Sequence, residues 1–308
     1  MDATPPVRST ADAASGIPAR PPATLRIGGR TFEWASRTYV MGIVNATPDS
    51  FSGDGLLAGT VHDLVAATVA QAQRMADEGA DILDIGGASS RPGHTPVPED
   101  EEARRAVPVV RAIRAALPQM PLSIDTTSAA VAEEALDAGA DMLNDIWAVG
   151  EDDAMARLAA RRGVPMVLMH NRAEARYGNI AAEVLADLAG AIERAVTRGV
   201  ARESLIVDPG IGFGKTAEQN LALLAQLELL TTLGLPILLG TSRKSTIGKV
   251  LDLPAGERLE GTLATTALGI AAGADIIRVH DVAANVRAAR MSDAIVRGGW
   301  SEQEARNR

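Results

Sequence analysis

The chain of 308 residues contains no cysteine. Disulfides, thiolate nucleophiles and cysteine-held metal centres are therefore excluded, and the absence fits a cytosolic setting. Aromatic residues are almost as scarce. Three tryptophans, two tyrosines and three phenylalanines are too few for a stacking platform that binds single-stranded nucleic acid. Positive charge is in deficit, with 30 Lys and Arg against 39 Asp and Glu, a net charge of −9 and no basic run. That balance argues against a nucleic-acid partner. No apolar stretch approaches the roughly 20 residues that span a bilayer, so no membrane partner is expected. His62, His94, His170 and His280 show no paired metal-ligand spacing.

What the sequence does contain is a repeat of short apolar runs, each ending on polar residues or glycine. They are Val40–Val44 into Asn45, Ile82–Ile85 into Gly86-Gly87, Leu122–Ile124 into Asp125, and Met142-Leu143 into Asn144-Asp145. Met166–Met169 into His170-Asn171, Leu205–Val207 into Asp208, Ile237–Leu239 into Gly240-Thr241-Ser242, and Ile276-Ile277 into Arg278-Val279-His280-Asp281 complete the series. Continuous apolar strands separated by helix-length segments imply a parallel sheet buried on both faces. Eight such units in about 250 residues match an α/β fold of the (β/α)8 TIM-barrel type, whose active site lies where the strands end. An enzyme is the first reading.

Helices are expected near 61–79, 100–117, 128–139, 151–163, 183–200, 216–233, 256–273 and 283–297. Three of them close on a Gly-Ala-Asp phrase, at Gly79, Gly139 and Gly273, which reads as a helix C-terminus entering a strand rather than as a functional site. Residues 24–36, with Gly28-Gly29, predict a short N-terminal β-hairpin that closes the barrel bottom. The domain plan is a tail over 1–23, a barrel over 24–298 and a second tail over 299–308. The first tail is rich in Ala, Pro, Thr and Ser and lacks the apolar core of a signal peptide, so disorder is expected there. Two long Gly/Pro-rich segments, 47–59 and 86–99, leave strand ends and are expected to act as mobile lids.

Asp125, Asn144 and Asp208 are candidates for reading a polar heterocycle, because carboxylates accept paired N–H donors and an amide both donates and accepts. For each alone, a solvated cap or a bracing network is the competing explanation. Arg91, Lys215, Arg243, Lys244 and Arg278, with His280, fall at the same end and suggest an anionic ligand. Gly210–Thr216 looks superficially like a nucleotide-binding P-loop, but Pro209 stands where that motif requires its first glycine.

Several segments together resemble the dihydropteroate synthases. They are Met41–Ser52, Asp84–Gly93, Ser123–Thr126, Asn144–Ile146, Asp208–Lys215, Ser242–Lys244 and Arg278–Asp281, in family order over residues 38–297. The resemblance implies condensation of 6-hydroxymethyl-7,8-dihydropterin diphosphate with 4-aminobenzoate, giving 7,8-dihydropteroate and pyrophosphate for folate synthesis. It implies that Asp125, Asn144 and Asp208 grip the pterin edge, with Lys244 beside the ring, and that Phe213 and Lys215 bind substrate. It further implies that Asn45 helps bind Mg2+, and that Arg278 and His280 hold the diphosphate. Ser90, Arg91 and Ser242 would lie near the aminobenzoate, and Asn45, Asp49, Arg91, Lys244, Arg278 and His280 would take part in catalysis. A cytoplasmic homodimer is the usual family state, with 256–273 and 283–297 as the expected contact. Leu263, Leu268, Ile270 and Ala271 supply its apolar density.

Departures are local. Ala88 stands where Glu is common, Ala46 where Val is usual, and Ser90 where Thr is common. Asp54 is displaced by one position in the first loop, and the segment after His170 diverges, so no site is assigned there. Two other readings compete. A methyltetrahydrofolate–corrinoid methyltransferase would not need Ser242-Arg243-Lys244 or Arg278-Val279-His280. A non-catalytic pterin-binding paralogue would be expected to lose Asn45, Asp49 and Arg91, which are present.

Overall fold

A computed structural model of the chain describes residues 24–46, 61–88, 97–147 and 153–298. The expected tails, and most of the two expected lids, lie outside the described residues. Two antiparallel strands come first, β1 (Thr24–Ile27) and β2 (Arg30–Glu33), turning through Gly28 at φ +56°. Eight parallel strands follow: β3 (Tyr39–Asn45), β4 (Ile82–Gly86), β5 (Leu122–Asp125), β6 (Met142–Asp145), β7 (Met166–Met169), β8 (Leu205–Asp208), β9 (Leu238–Leu239) and β10 (Ile276–Val279). Each pairs with its sequence neighbours, and β10 pairs with β3. Between β8 and β9 the ring is closed by a single parallel bridge, Val207 to Ile237. The result is the (β/α)8 barrel that the apolar runs predict.

Side chains alternate along a strand, so one set points into the barrel and the other toward the helices. Inside, Met41, Ile82, Met142, Val167, Ile206, Leu238 and Ile276 form one buried cluster with Leu25, Ile27, Phe32 and Trp34 of the hairpin segment. The hairpin is thus the bottom plug, and the scarce aromatics gather there. Phe32, Trp34 and Tyr39 lie within 5.7 Å of one another, ring centroid to centroid. Outside, Leu83, Ile85, Ile124, Leu143, Leu168, Val207, Leu239 and Ile277 belong to the core shared with the helices.

The helices are α1 (Val61–Asp77), α2 (Glu99–Ala116), α3 (Ala129–Asp137), α4 (Ala154–Arg162), α5 (Ile180–Thr197), α6 (Ala217–Leu224), α7 (Ser245–Leu251), α8 (Leu259–Ala271) and α9 (Val282–Val296). Two differ from expectation. The helix expected over 216–233 stops at Leu224 and continues as a 3-10 segment, Leu227–Leu233. The short α7 was not among the expected helices.

The Gly-Ala-Asp phrases are structural, as expected. Gly79, Gly139 and Gly273 have φ of +100°, +113° and +97°, and the alanine after each donates its N–H back into the helix it closes. Asp81, Asp141 and Asp275 then accept the backbone N–H of Val40, Leu122 and Ile237, each at 2.9 Å. Each phrase therefore stitches a helix end to a neighbouring strand at the bottom of the barrel.

Candidate active site

The inner row that forms the bottom core also sets the site. Two residues beyond Ile82, Met142, Ile206, Leu238 and Ile276 come Asp84, Asn144, Asp208, Gly240 and Arg278, pointing inward one layer higher. Register adds a ring around that layer, with Asn45 opposite Gly86, Gly86 opposite Asp125, and Asp125 opposite Asn144. Gly86 and Gly240 contribute no side chain to this wall. A Cβ on Gly240 would meet Arg278 Cβ at 3.9 Å and Asp208 Oδ2 at 4.0 Å.

The centre is a buried ion cluster. Arg278 donates through Nε to Asp84 Oδ2 at 2.5 Å and through Nη2 to Asp125 Oδ2 at 2.6 Å. Asn144 Nδ2 donates to the same Asp84 oxygen at 3.0 Å. Asp84 is fully buried, and its Oδ1 and the Ser123 hydroxyl beside it have no hydrogen-bond partner among the described residues. Burial works to lower the Arg278 pKa, but Asp84 and Asp125 overcome it and hold the guanidinium above its ordinary range. One guanidinium is shared between two carboxylates. Burial pushes the Asp125 carboxyl up to about 7, opposed by Arg278 and assisted by Asp84 and Glu102.

Asp208 closes the other side. Its Oδ1 accepts the Gly210 N–H at 2.7 Å, and burial raises its pKa against that bond and the charges of Lys244, Arg278 and Lys215. Lys244 Nζ donates to Ile211 O at 2.6 Å and lies 4.0 Å over the Phe213 ring. Ser242 Oγ accepts the His280 N–H at 3.1 Å and meets His280 Nδ1 at 3.0 Å, which orients that ring. Asn45 is half-buried at the end of β3.

Of the residues expected from sequence, Asp125, Asn144, Asp208, Lys244 and Arg278 thus meet at one mouth, with Asn45, Phe213, Ser242 and His280 on the same barrel end. Asp49, Asp54, Ser90 and Arg91 lie outside the described residues. Lys215 turns toward His170 and loop carbonyls. Arg243, expected among the ligand's cations, is engaged bidentately by Asp281 at 3.0 and 2.6 Å. Sequence reasoning missed Asp84 as a site residue. Its only signal was a carboxylate inside an apolar run, two residues after an inward-facing isoleucine. His170 was missed as well.

A parallel barrel with three carboxylates, an amide and fixed cations at its C-terminal mouth has the construction of a barrel enzyme that binds a polar heterocycle and an anion. Residues 41–280 match the family described as pterin binding enzyme, and the chain belongs to that family. Within it the chain falls among the dihydropteroate synthases. It is 52% identical to the dihydropteroate synthase of Clostridium beijerinckii over 89% of this chain and 100% of that one. A solved Xanthomonas albilineans dihydropteroate synthase with 4-aminobenzoic acid superposes with a TM-score of 0.83 at 42% identity, covering 89% of this chain and 98% of that chain. Another structure of the Xanthomonas albilineans enzyme, in complex with 7,8-dihydropteroate, gives 0.80 at 41% identity over the same shares.

Proposed function

We propose that the strand-end cluster carries out the dihydropteroate synthase reaction, joining 6-hydroxymethyl-7,8-dihydropterin diphosphate to 4-aminobenzoate with release of pyrophosphate in folate biosynthesis. The observation that carries this reading is the convergence of buried Asp125, Asn144 and Asp208 with Arg278 and Lys244 at one barrel mouth. The amino and lactam edges of a pterin present parallel N–H donors and an acceptor. Asp208 and Asp125 suit the donors, and Asn144 suits an edge with both.

The chemistry separates charge. As the bond from the pterin methylene to the diphosphate oxygen breaks, positive charge grows on the methylene and negative charge on the leaving group. The aminobenzoate nitrogen then supplies the electron pair for the new C–N bond and loses its proton. Carboxylates interleaved with Arg278 and Lys244, and His280 at the same barrel end, hold charges of both signs in place for that separation, so stabilisation needs little rearrangement. No protein nucleophile is required.

A magnesium ion would neutralise the leaving diphosphate. Asn45 offers a hard amide oxygen at this corner, and one such oxygen with substrate phosphate oxygens is a donor set Mg2+ accepts. By the same reading Ser242 belongs to the aminobenzoate end, with Ser90 and Arg91, and Asp49 takes part in catalysis. A homodimer through α8 and α9 is supported by an exposed apolar face, with Leu268 and Ile295 each 71% exposed and Met291 63%. Ile270, expected in that face, is instead buried against the barrel. A cytoplasmic setting is supported by the lack of cysteine. No helix among the described residues is long and apolar enough to cross a membrane.

Product analysis tests the reaction. Incubating the purified chain with both substrates and Mg2+ should give 7,8-dihydropteroate by mass. Release of pyrophosphate with 6-hydroxymethyl-7,8-dihydropterin as the only organic product would refute the condensation.

A further inference from the structure

The loop Gly210–Gly214, between β8 and α6, has three glycines and few bonds of its own: Phe213 N–H donates to Gly210 O at 3.1 Å, Gly212 N–H to Asn220 Oδ1 at 2.8 Å, and the Tyr177 hydroxyl to Gly214 O at 2.9 Å. Gly210, Gly212 and Gly214 have φ of +67°, +82° and +54°, a region that L side chains rarely occupy. The loop presses backbone on backbone, since a Cβ on Gly210 would strike His170 O and one on Gly214 would strike Arg172 O. Glycine is conformationally permissive, so this shape needs holding from outside.

Lys215 supplies the hold. Its ammonium has three N–H donors and meets three acceptors at bonding distance: His170 Nδ1 at 2.9 Å, Gly210 O at 3.0 Å and Phe213 O at 3.0 Å. With Nδ1 accepting, the proton of His170 sits on Nε2, which faces Asp187 Oδ2 at 3.0 Å. Asp187 in turn pairs with Arg172, which also pairs with Glu183. The chain of contacts runs from α5 through the end of β7 into the loop. No donor of Lys215 remains for a ligand.

The loop, in turn, sets two groups of the pterin site. Gly210 N–H holds Asp208, and Ile211 O with the Phe213 ring holds the Lys244 ammonium. Gly212 lets the Lys244 stem lie across the loop, since a Cβ there would come within 2.8 Å of Lys244 Cδ.

We propose that Lys215 is a positioning residue for pterin-ring binding, clamping Gly210–Gly214 to His170 so that Lys244 and Asp208 meet the ring. This rests on the reading of the site as a pterin pocket. It assigns a structural cause to a charged residue that does not itself touch the ligand, and it gives His170 and Asp187 a role.

A double-mutant cycle with 6-hydroxymethylpterin as the probe tests it by calorimetry. Lys215→Met should weaken binding about tenfold, equivalent to roughly 1.4 kcal/mol. In a Lys244→Met background the same change should cost only about threefold, because the route through Lys244 is gone and only that through Asp208 remains. In steady state, Lys215→Met should raise the KM for the pterin diphosphate more than it lowers kcat. A full tenfold loss in both backgrounds would mean an independent or direct contact and would overturn the proposal. A lowered melting temperature with unchanged affinity and KM would overturn it too, leaving Lys215 as a fold element only. If Lys215→Met does not fold, His170→Ala enters the same cycle with an expected loss of about threefold, again reduced beside Lys244→Met, and full additivity there would be equally fatal. A wild-type chain that fails to bind 6-hydroxymethylpterin at all would instead sink the pterin reading itself.

Discussion

Removing the Asp84 carboxylate should unsettle both the barrel and the pocket. Asp84 is fully buried and holds two donors on one oxygen, Arg278 Nε at 2.5 Å and Asn144 Nδ2 at 3.0 Å. Asp84→Ala breaks a charge-assisted bond, worth roughly 1.5–3 kcal/mol, and strands a buried amide donor at a cost of roughly 1–3 kcal/mol. Part of this is offset because Asp84 Oδ1 has no partner to lose among the described residues. The expected net destabilisation is about 3–5 kcal/mol, the usual result of removing one partner from a buried pair. Asp84→Asn keeps the volume and one acceptor and should cost less than half of that. Urea unfolding at neutral pH measures both. Asp84 also helps to hold the Asp125 carboxyl up near 7, so Asp84→Asn should lower the pH at which Asp125 titrates. Stability of Asp84→Ala within about 1 kcal/mol of wild type would refute the buried-cluster reasoning.

Other expectations follow from neighbouring contacts. Arg278→Ala should slow turnover at least about tenfold, since the guanidinium acts on charge that grows in the transition state. Because it also neutralises Asp125, affinity for 6-hydroxymethylpterin should fall as well, and an unchanged affinity would confine Arg278 to the diphosphate. Burial and Lys215 lower the His170 pKa from 6.5 to about 4, against the pull of Asp187. The unfolded chain therefore binds the extra proton first, and this contribution to stability is lost as pH falls from about 6.5 toward 4. The stability gap between wild type and His170→Asn should narrow by about 3 kcal/mol across that window, measured by urea midpoints, and a constant gap would contradict it. Asp125 works in the opposite direction over pH 4–7, which is why the comparison is made against the variant. Leu268→Glu with Ile295→Glu should give a monomeric mass by light scattering while leaving the circular dichroism spectrum intact, and a monomeric wild type would reject the dimer.

The barrel was readable in the sequence because its strands are buried on both faces, which turns each into a continuous apolar run with polar punctuation at the functional end. Asp125, Asn144 and Asp208 stood out because they fall at that punctuation. Asp84 did not, because it lies one layer down, inside Ile82–Gly86, and only the inward alternation shared with Met142 and Ile206 reveals where it points. Lys215 and Arg243 were legible as cations at the right end of the barrel but not in their partners. His170 and Asp281 come from other strand ends, and no spacing rule connects them. The short α7 escaped because its run Ser245–Leu251 is only seven residues long and buries only Thr246 and Ile247, too little to show a periodic face.

Pyrophosphate release measured for wild type and Asp208→Ala, with each substrate omitted in turn, bears most directly on the site. The account predicts release by wild type only when pterin diphosphate and 4-aminobenzoate are both present, and a loss of at least about a hundredfold in kcat/KM for Asp208→Ala, as expected when a buried charged hydrogen-bond partner is removed. Release that persists without 4-aminobenzoate, or that survives Asp208→Ala at the wild-type rate, would contradict it.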